Sequence, residues 1–233
     1  MHQYSIVNAT LIQTNHRTKE ILTLHHIKAM LKIGVLASTR GTDLQAIIDS
    51  IESGELKDVD LSVVISNKPD AYALKRGRKH GIKTVFIDPA GKTREEFDRE
   101  VAGILDENEV ELVVLIGYMR YLSSWFVNRY ENKIMNVHPS LLPAFAGGMD
   151  LNVHKAVLDH GVKVTGCTIH FVNEGADTGP IILQKVVEIN EKDDTETLKK
   201  KVQAAEMKLY PKAIELFRDG KLKVEGRRVR ISK

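Results

Sequence analysis

The sequence predicts an α/β protein with a Rossmann-like open, mostly parallel sheet, helices on both of its faces and an antiparallel strand pair towards the C-terminus. From Lys32 onward, short runs rich in Val, Ile and Leu alternate with longer segments of helical periodicity, which is typical of βαβ units. After His138 the rhythm changes to two longer extended runs joined by a glycine-containing loop. A long amphipathic helix follows them.

Five short apolar runs are predicted to be parallel strands, because the helical segments between them are about long enough to cross back over the sheet. The strands span residues 32–37, 61–66, 84–88, 112–117 and 134–138. The helical segments span residues 44–52, 71–80, 94–107 and 124–130.

The later elements complete the sheet and cover it. A helix near residues 153–160 leads to extended runs at 163–173 and 181–189, which are predicted to form an antiparallel pair. Residues 195–218 are predicted to form the last helix, since their apolar residues recur with a helical period, and Gly220 closes it. These apolar residues are Leu198, Val202, Ala205, Leu209, Ala213 and Leu216.

Composition excludes several classes of protein. With 233 residues, 42% of them hydrophobic and 28% charged, the chain can bury a core and is expected to be one soluble globular domain. The formal charge of +3 is small and the basic residues are spread out, so no nucleic-acid partner is expected. No apolar run approaches the roughly 20 residues that span a bilayer, so no membrane partner is expected. Cys167 is the single cysteine, which fits the reducing cytoplasm.

Three parts are expected along the chain. Residues 1–29 stand outside the βαβ pattern and are treated as an N-terminal extension of unknown role, residues 30–220 as the catalytic domain and residues 221–233 as a short basic tail. His25 and His26 lie in the extension, but adjacent residues face apart on a helix or strand, so no metal site is predicted there. The sequence leaves a monomer and a homodimer open.

The fifth predicted strand ends in an amide and an imidazole, Asn136 and His138. Residues two apart in a strand point to the same face, so both should project into one site. Pro139 and Pro143 then end the strand and stiffen the following loop. A hydrogen-bond donor beside a proton carrier suits chemistry at a carbonyl. A buried strand that carries two polar residues at its end is the alternative interpretation.

The loop Ser-Thr-Arg-Gly-Thr-Asp at residues 38–43 joins the first strand to a helix N-terminus. Unpaired backbone N–H groups and the positive end of the helix dipole converge there, which predicts a phosphate site. The glycines of a dinucleotide fingerprint or a P-loop are not present, so a phosphate is favoured over a whole dinucleotide. A tight turn in which Asp43 caps the helix is the alternative.

Two further segments are expected at the same edge of the sheet. Residues 117–122, Gly-Tyr-Met-Arg-Tyr-Leu, follow the fourth strand, and ligands of open α/β sheets bind beyond the carboxyl ends of the strands. Asp177 lies in a glycine-rich loop between the two late strands, from which its carboxylate could reach His138 and favour the protonated imidazole. The alternatives are a packed strand end and ordinary turn chemistry.

Together these motifs resemble the phosphoribosylglycinamide formyltransferases, the folate-dependent enzymes of purine synthesis, over about residues 32–218. The element Asn-x-His-Pro-Ser-Leu-Leu-Pro at 136–143, followed by Asp-x-Gly-x-Ile-x-Leu from Asp177, is specific for folate formyltransferases. The Leu-Gln-Ala start of the first helix narrows the resemblance to this member. The other matching segments are residues 40–46, 66–68, 117–120 and 166–172.

The resemblance implies roles for residues of this chain. Asn136, His138 and Asp177 correspond to the catalytic trio, and His170 to a further site-lining histidine. The implied formyl-folate contacts are Arg94, Met119, Arg120, Tyr121, Leu122, Asn136, Asn173, Glu174, Gly175, Ala176 and Asp177. The implied ribotide and phosphate contacts are Gly41, Thr42, Asp43, Gln203 and Glu206. The cosubstrate would be 10-formyltetrahydrofolate, and no metal would be required.

The chain departs from the family pattern in two loops. The phosphate loop usually reads Gly-Ser-Asn, whereas here Asp43 places a carboxylate where an amide is usual. That side chain must either cap the helix and point away, or bind the ribose or a neighbouring cation. Residues 144–150 look longer than in many relatives, and their small residues suggest a mobile lid.

The resemblance implies formyl transfer to the amine of glycinamide ribonucleotide, with Asn136 and protonated His138 donating to the oxyanion and Asp177 supporting the imidazole. A formyltetrahydrofolate hydrolase is the nearest alternative, but that enzyme type usually carries an N-terminal regulatory domain, for which 29 residues are too few. Methionyl-tRNA formyltransferase normally adds a basic C-terminal domain, and this chain ends soon after Arg218. A non-catalytic module that binds folate or ribotide is the alternative from another class.

Overall fold

A computed structural model describes residues 30–148 and 151–232. Strands and helices alternate through most of this part of the chain, as the hydrophobic pattern predicts. The strands are β1 (Leu31–Ala37), β2 (Val59–Ser66), β3 (Lys83–Phe86), β4 (Leu112–Ile116), β5 (Ile134–His138), β6 (Val164–Phe171), β7 (Ile181–Glu188), β8 (Leu222–Glu225) and β9 (Arg228–Ile231). The helices are α1 (Thr42–Glu52), α2 (Tyr72–Lys79), α3 (Arg94–Glu107), α4 (Ser124–Arg129), α5 (Leu151–Asp159) and α6 (Thr195–Arg218).

The described strands form one sheet in the order β3-β2-β1-β4-β5-β6-β7-β9-β8. Strands β1 to β5 are mutually parallel, β6 is antiparallel to β5, and β7 is antiparallel to β6. The predicted α/β fold with its antiparallel pair is therefore confirmed. The chain winds from β1 out to β3 and returns to β4 on the other side of β1, which places the topological switch point between β1 and β4.

Apolar side chains cover both faces of the sheet. One buried cluster joins the strands to α1, α2 and α6, and includes Leu44, Leu74 and Ile214. A second cluster on the opposite face joins them to α3 and α4 through residues such as Phe97 and Phe126. Strands β1 and β4 are buried almost throughout, which explains why they appear in the sequence as continuous apolar runs rather than alternating ones.

The C-terminal segment differs from the short basic tail expected for residues 221–233. Strands β8 and β9 form an antiparallel hairpin, and β9 joins β7, so the segment extends the sheet. Gly226 has a φ of 62° at the turn, a backbone conformation that glycine adopts without strain. Two short runs that alternate apolar and charged residues around this glycine were the available signal. The expected extension at residues 1–29, with His25 and His26, lies outside the described residues.

Candidate active site

A cavity of about 670 Å³ opens at the carboxyl ends of the parallel strands, over the switch point between β1 and β4. Open α/β sheets bind ligands at this place because the loops that leave the two strands diverge and leave a crevice between them. The loops after β1, β4 and β5 contribute to its wall, together with residues 173–177 and the first turns of α6.

Strand β5 projects the predicted amide and imidazole into this cavity. Asn136 is half-buried, and the His138 side chain is only 3% exposed. The antiparallel register with β6 pairs Asn136 with His170, which adds a second buried imidazole beside the amide. The Nδ2 atom of Asn136 lies 3.2 Å from Nε2 of His170. His170 Nδ1 lies 2.8 Å from the Phe171 carbonyl oxygen, so Nδ1 donates and Nε2 is left to accept from Asn136.

The loop between β6 and β7 delivers the carboxylate of Asp177 to these side chains. Its Oδ2 lies 3.1 Å from Nδ1 of His138, and its Oδ1 lies 3.4 Å from Nδ2 of Asn136. Asp177 has a φ of 52°, in the left-handed region that few non-glycine residues adopt. A Cβ added at Gly179 would lie 1.7 Å from the Phe171 carbonyl oxygen, so the loop folds back on β6 at a spacing that only glycine permits.

The charge state of the trio follows from its contacts. Burial alone would raise the pKa of the Asp177 carboxyl, but the hydrogen bond and charge of His138 and the hydrogen bond from the Gly147 N–H outweigh it and hold the pKa well below its usual range. His138 Nδ1 faces this carboxylate, and its Nε2 lies 3.0 Å from the Phe145 carbonyl oxygen. Both ring nitrogens therefore face acceptors, and His138 satisfies both only as an imidazolium that donates twice.

The loop after Pro143 closes over the trio in this structure. Besides the Phe145 carbonyl on His138, the Gly147 N–H donates to Asp177 Oδ2 at 2.9 Å. Phe145 has a φ of 58°, and its ring packs against the apolar cluster between α5 and α6. The Phe145 carbonyl oxygen of this loop thus accepts from Nε2 of His138. The lid predicted at residues 144–150 lies partly here, while residues 149 and 150 are outside the described part.

The segment after β4 forms one end of the cavity. Met119 and Tyr121 are exposed, and the Met119 N–H donates to Ser38 Oγ at 2.9 Å, which ties the loop to the end of β1. A capping box starts α3 on the same side: the Glu96 N–H donates to Thr93 Oγ1 and the Glu96 carboxylate accepts from the Thr93 N–H. The cavity wall at this end contains the predicted folate residues Arg94, Met119, Arg120, Tyr121, Leu122, Asn173, Glu174, Gly175 and Ala176.

The start of α1 forms the other end. Gly41 is the N-cap residue with a φ of 66°, and no side chain caps the helix. The helix N–H groups and dipole therefore face the cavity, as a phosphate site requires. Asp43 is only 7% exposed and does not cap the helix, which removes the first of the alternatives considered for it. The predicted ribotide residues Gly41, Thr42, Asp43, Gln203 and Glu206 all line this cavity.

A family model described as formyl transferase matches residues 31–214 of the chain. The chain belongs to the formyl transferase family. Among solved structures, a glycinamide ribonucleotide transformylase from Symbiobacterium toebii is 46% identical, has a TM-score of 0.84, and is matched over 88% of this chain and 95% of its own.

Curated relatives agree with this family. The phosphoribosylglycinamide formyltransferase of Escherichia coli is 40% identical over 195 residues, which are 83% of this chain and 90% of that protein. The trifunctional purine biosynthetic protein adenosine-3 of Gallus gallus is 40% identical over 220 residues, which are 92% of this chain. This formyl transferase spans 22% of the length of that trifunctional relative.

Sequence analysis did not predict several residues that line the cavity of the formyl transferase. Arg76 on α2 reaches the phosphate end, where its guanidinium donates to the Arg40 carbonyl at 3.0 Å and to Gln45 Oε1 at 2.8 Å. The basic run Lys75-Arg76-Gly77-Arg78-Lys79 in α2 was the signal that could have found it. Lys199 and Lys200 line the same end from α6, and three successive lysines near a helix start were the signal that could have found them.

The formyl transferase carries no group of three His, Cys, Asp or Glu side chains arranged for a metal ion within residues 30–148 and 151–232. Cys167 is fully buried in β6, and burial raises the pKa of its thiol to about 12. The thiol is therefore a core group and not an activated nucleophile. Across the same described residues, no helix has the length and apolar character needed to cross a membrane.

Proposed function

We propose that this formyl transferase moves the formyl group of 10-formyltetrahydrofolate to the amine of N1-(5-phospho-D-ribosyl)glycinamide, in purine (IMP) biosynthesis. The products are the N-formyl ribotide and tetrahydrofolate. One observation carries the proposal: Asn136, His138 and Asp177 meet at the middle of a single cavity, between an end suited to a phosphate and an end suited to a folate. The names and identities of the relatives support the same substrates.

The trio is arranged for acyl transfer through a tetrahedral intermediate. The amine nitrogen attacks the formyl carbon, and the carbonyl electron pair moves onto oxygen. The Asn136 amide and the His138 imidazolium are the donors placed to stabilise that oxyanion. Asp177 holds the imidazolium by its Nδ1–H and accepts the proton that the attacking nitrogen loses, directly or through water. The oxyanion then reforms the carbonyl, the bond to the folate nitrogen breaks, and this nitrogen takes up a proton.

The two ends of the cavity explain how both substrates are held. The N-terminus of α1 offers backbone N–H groups to a dianionic phosphate, and Arg76 adds a cation that Gln45 holds in place. The segment after β4 offers backbone groups and the exposed side chains of Met119 and Tyr121 to a flat ring. Gly117 has a φ of 53° and lets this segment turn close to Thr39.

The closed loop supports an order for ligand entry and the chemical steps of this proposal. Nε2 of His138 donates to the Phe145 carbonyl in the structure, and this same nitrogen faces the formyl oxygen in the proposed reaction. The loop must therefore release His138 when the folate enters, and it can close again over the reacting atoms to exclude water. Exclusion of water matters, because the same trio would otherwise hydrolyse the formyl folate.

The test is an absorbance assay of folate deformylation with purified full-length protein, run with and without glycinamide ribonucleotide. The proposal expects rapid deformylation only when the ribotide is present, with one N-formyl ribotide formed per folate consumed. Deformylation at the same rate without ribotide would instead identify a formyltetrahydrofolate hydrolase. Binding of both ligands without turnover would identify a non-catalytic module.

The cellular compartment and the oligomeric state of the enzyme are part of the same proposal. A soluble reaction between two small molecules in the cytoplasm fits the buried, unpaired Cys167. A monomer or a homodimer are the two assemblies expected, and sedimentation of the purified protein distinguishes them.

A further inference from the structure

Asp43 is a buried carboxyl group at the phosphate end of the cavity. It is 7% exposed, and its Oδ1 has no hydrogen-bond partner among the described residues. It follows the N-cap Gly41 in the first turn of α1, yet it does not cap the helix. A buried polar atom without a partner in the protein is costly, and such atoms commonly wait for a ligand. Since Asp43 lines the cavity, its free oxygen is available to a bound molecule.

The groups that face Asp43 do not favour a negative charge there. Glu206 on α6 is a second buried carboxyl in the same wall. Burial raises the pKa of Cys167 on β6, and the charges of Glu206 and Asp43 both add to this rise, so the two carboxyls act on one small region. Burial and the charge of Asp43 also raise the pKa of Tyr210 on α6. Burial raises the pKa of Asp43 itself to about 7.

Several other charged side chains line the phosphate end of the cavity, near Asp43 and Glu206. The other charged or titratable side chains that line it are Arg40, Arg76, His154, Glu196, Lys199 and Lys200. Arg76 donates to the Arg40 carbonyl oxygen at 3.0 Å and to Gln45 Oε1 at 2.8 Å, and Asp43 Oδ1 accepts no hydrogen bond from the described residues. A dianionic phosphate placed at the start of α1 would bring two more negative charges towards Asp43.

We propose that Asp43 binds the phosphorylated substrate as a neutral carboxylic acid that donates a hydrogen bond to the sugar phosphate, which makes Asp43 a pH-dependent specificity residue. The inference rests on the proposed function, since it assumes that a ribose phosphate occupies this end of the cavity. A neutral acid supplies one O–H donor and adds no charge, whereas a carboxylate would repel the phosphate. The same oxygen that lacks a partner in the protein then gains one from the ligand.

The expected pH dependence has a definite sign. A phosphate monoester is mainly dianionic above about pH 6, so the ligand itself changes little at higher pH. Asp43 loses its proton as the pH rises above neutrality, and only the protonated form binds. The dissociation constant should therefore increase by up to about tenfold per pH unit above the pKa of Asp43, and binding at high pH should take up one proton from solvent.

The test measures ribose 5-phosphate binding to the full chain by calorimetry between about pH 6.5 and pH 9, in buffers of different ionisation enthalpy. Wild type should bind more weakly as the pH rises and take up about one proton near the upper limit. Asp43→Asn keeps the shape and a donor but cannot ionise, so its affinity should not change with pH. Asp159→Asn, at an exposed carboxylate on α5, is the control and should keep the wild-type dependence on pH. Glu206→Gln removes the second carboxyl of the same wall and separates its titration from that of Asp43.

Several results would overturn the inference. They are wild-type binding that does not depend on pH, an equal dependence in Asp43→Asn, a dependence lost only in Glu206→Gln, or no binding of ribose 5-phosphate at any pH. Proton uptake by wild type that Glu206→Gln retains decides the matter even if Asp43→Asn does not fold. Ribose 5-phosphate carries no amine and no formyl group, so the result is independent of turnover. If formyl transfer fails while pH-linked binding persists, the proposed function alone is wrong.

Discussion

Nδ1 of His138 lies 3.1 Å from Oδ2 of Asp177, although His138 ends β5 and Asp177 lies in the loop between β6 and β7. This pair joins the end of β5, inside the sheet, to the loop between β6 and β7. That loop folds back on β6 at Gly179, where a side chain would clash with the Phe171 carbonyl oxygen. The contact gives the imidazole a fixed orientation. Its other nitrogen is left to the lid in the closed form and to substrate in the proposed reaction.

Replacing Asp177 by Asn should lower turnover far more than substrate binding. The amide cannot compensate the imidazolium of His138 or accept the proton of the attacking amine, so we expect kcat to fall by about 100- to 10,000-fold. The KM values of both substrates should stay within a few-fold. His138→Ala should behave in the same way. Steady-state kinetics measure both quantities.

The matched control for this substitution is Asp159→Asn, which changes an exposed carboxylate at the end of α5. It breaks a surface ion pair with Lys155 and should leave both constants unchanged. A loss in Asp177→Asn that is confined to KM would remove Asp177 from the chemical step.

Replacing Phe145 by Ala should loosen the loop that covers His138. The Phe145 ring packs against the cluster between α5 and α6 and lies 5.3 Å from the His160 ring. Its loss should cost the docked loop at least about 1.4 kcal/mol, which corresponds to a tenfold larger population of the open loop. Hydrogen exchange at the Gly147 amide, which donates to Asp177, measures this opening. Phe86→Ala, at an exposed position on β3, should leave that amide unchanged.

Replacing Gly117 by Ala should damage the folate end of the cavity. A Cβ there would lie 2.3 Å from Thr39 Oγ1, and the φ of 53° is unfavourable for alanine. We expect a loss of about 1–3 kcal/mol in the free energy of unfolding and a higher KM for the formyl folate. Gly103→Ala on α3 meets no atom within 4 Å and should stabilise the protein by about 0.5–1 kcal/mol. Urea denaturation compares the two, and an equal response would show that Gly117 is not under steric constraint.

The raised pKa of Asp43 should appear in the pH dependence of stability. A carboxyl near pKa 7 in the folded protein and near about 3.9 when unfolded binds its proton more tightly when folded. The contribution of this proton to the free energy of unfolding is complete below about pH 4 and is lost as the pH rises to about 7. The free energy of unfolding of wild type should therefore fall relative to Asp43→Asn by about 1.4 kcal/mol per pH unit across this range, and stay level above it. Denaturation at a series of pH values tests this, and a constant difference would contradict the raised pKa.

Local patterns predicted most of the fold. The strands β1 to β7 and the helices between them follow from hydrophobic periodicity, which depends on neighbours a few residues apart. The hairpin β8–β9 was not predicted, because its strands are short and largely exposed. Only the pairing of β9 with β7 shows that the hairpin is part of the sheet.

The sequence by itself determined that Asn136 and His138 share a face, that a helix N-terminus follows β1, and that the chain alternates strands with helices. Each of these depends on the short-range geometry of a strand or helix. Only the tertiary structure decided that Asp177 reaches His138, that Arg76 reaches the phosphate end and that Asp43 is buried rather than capping α1. Such facts depend on how distant segments pack, since burial and contact between them are properties of the folded chain and not of any local run of residues.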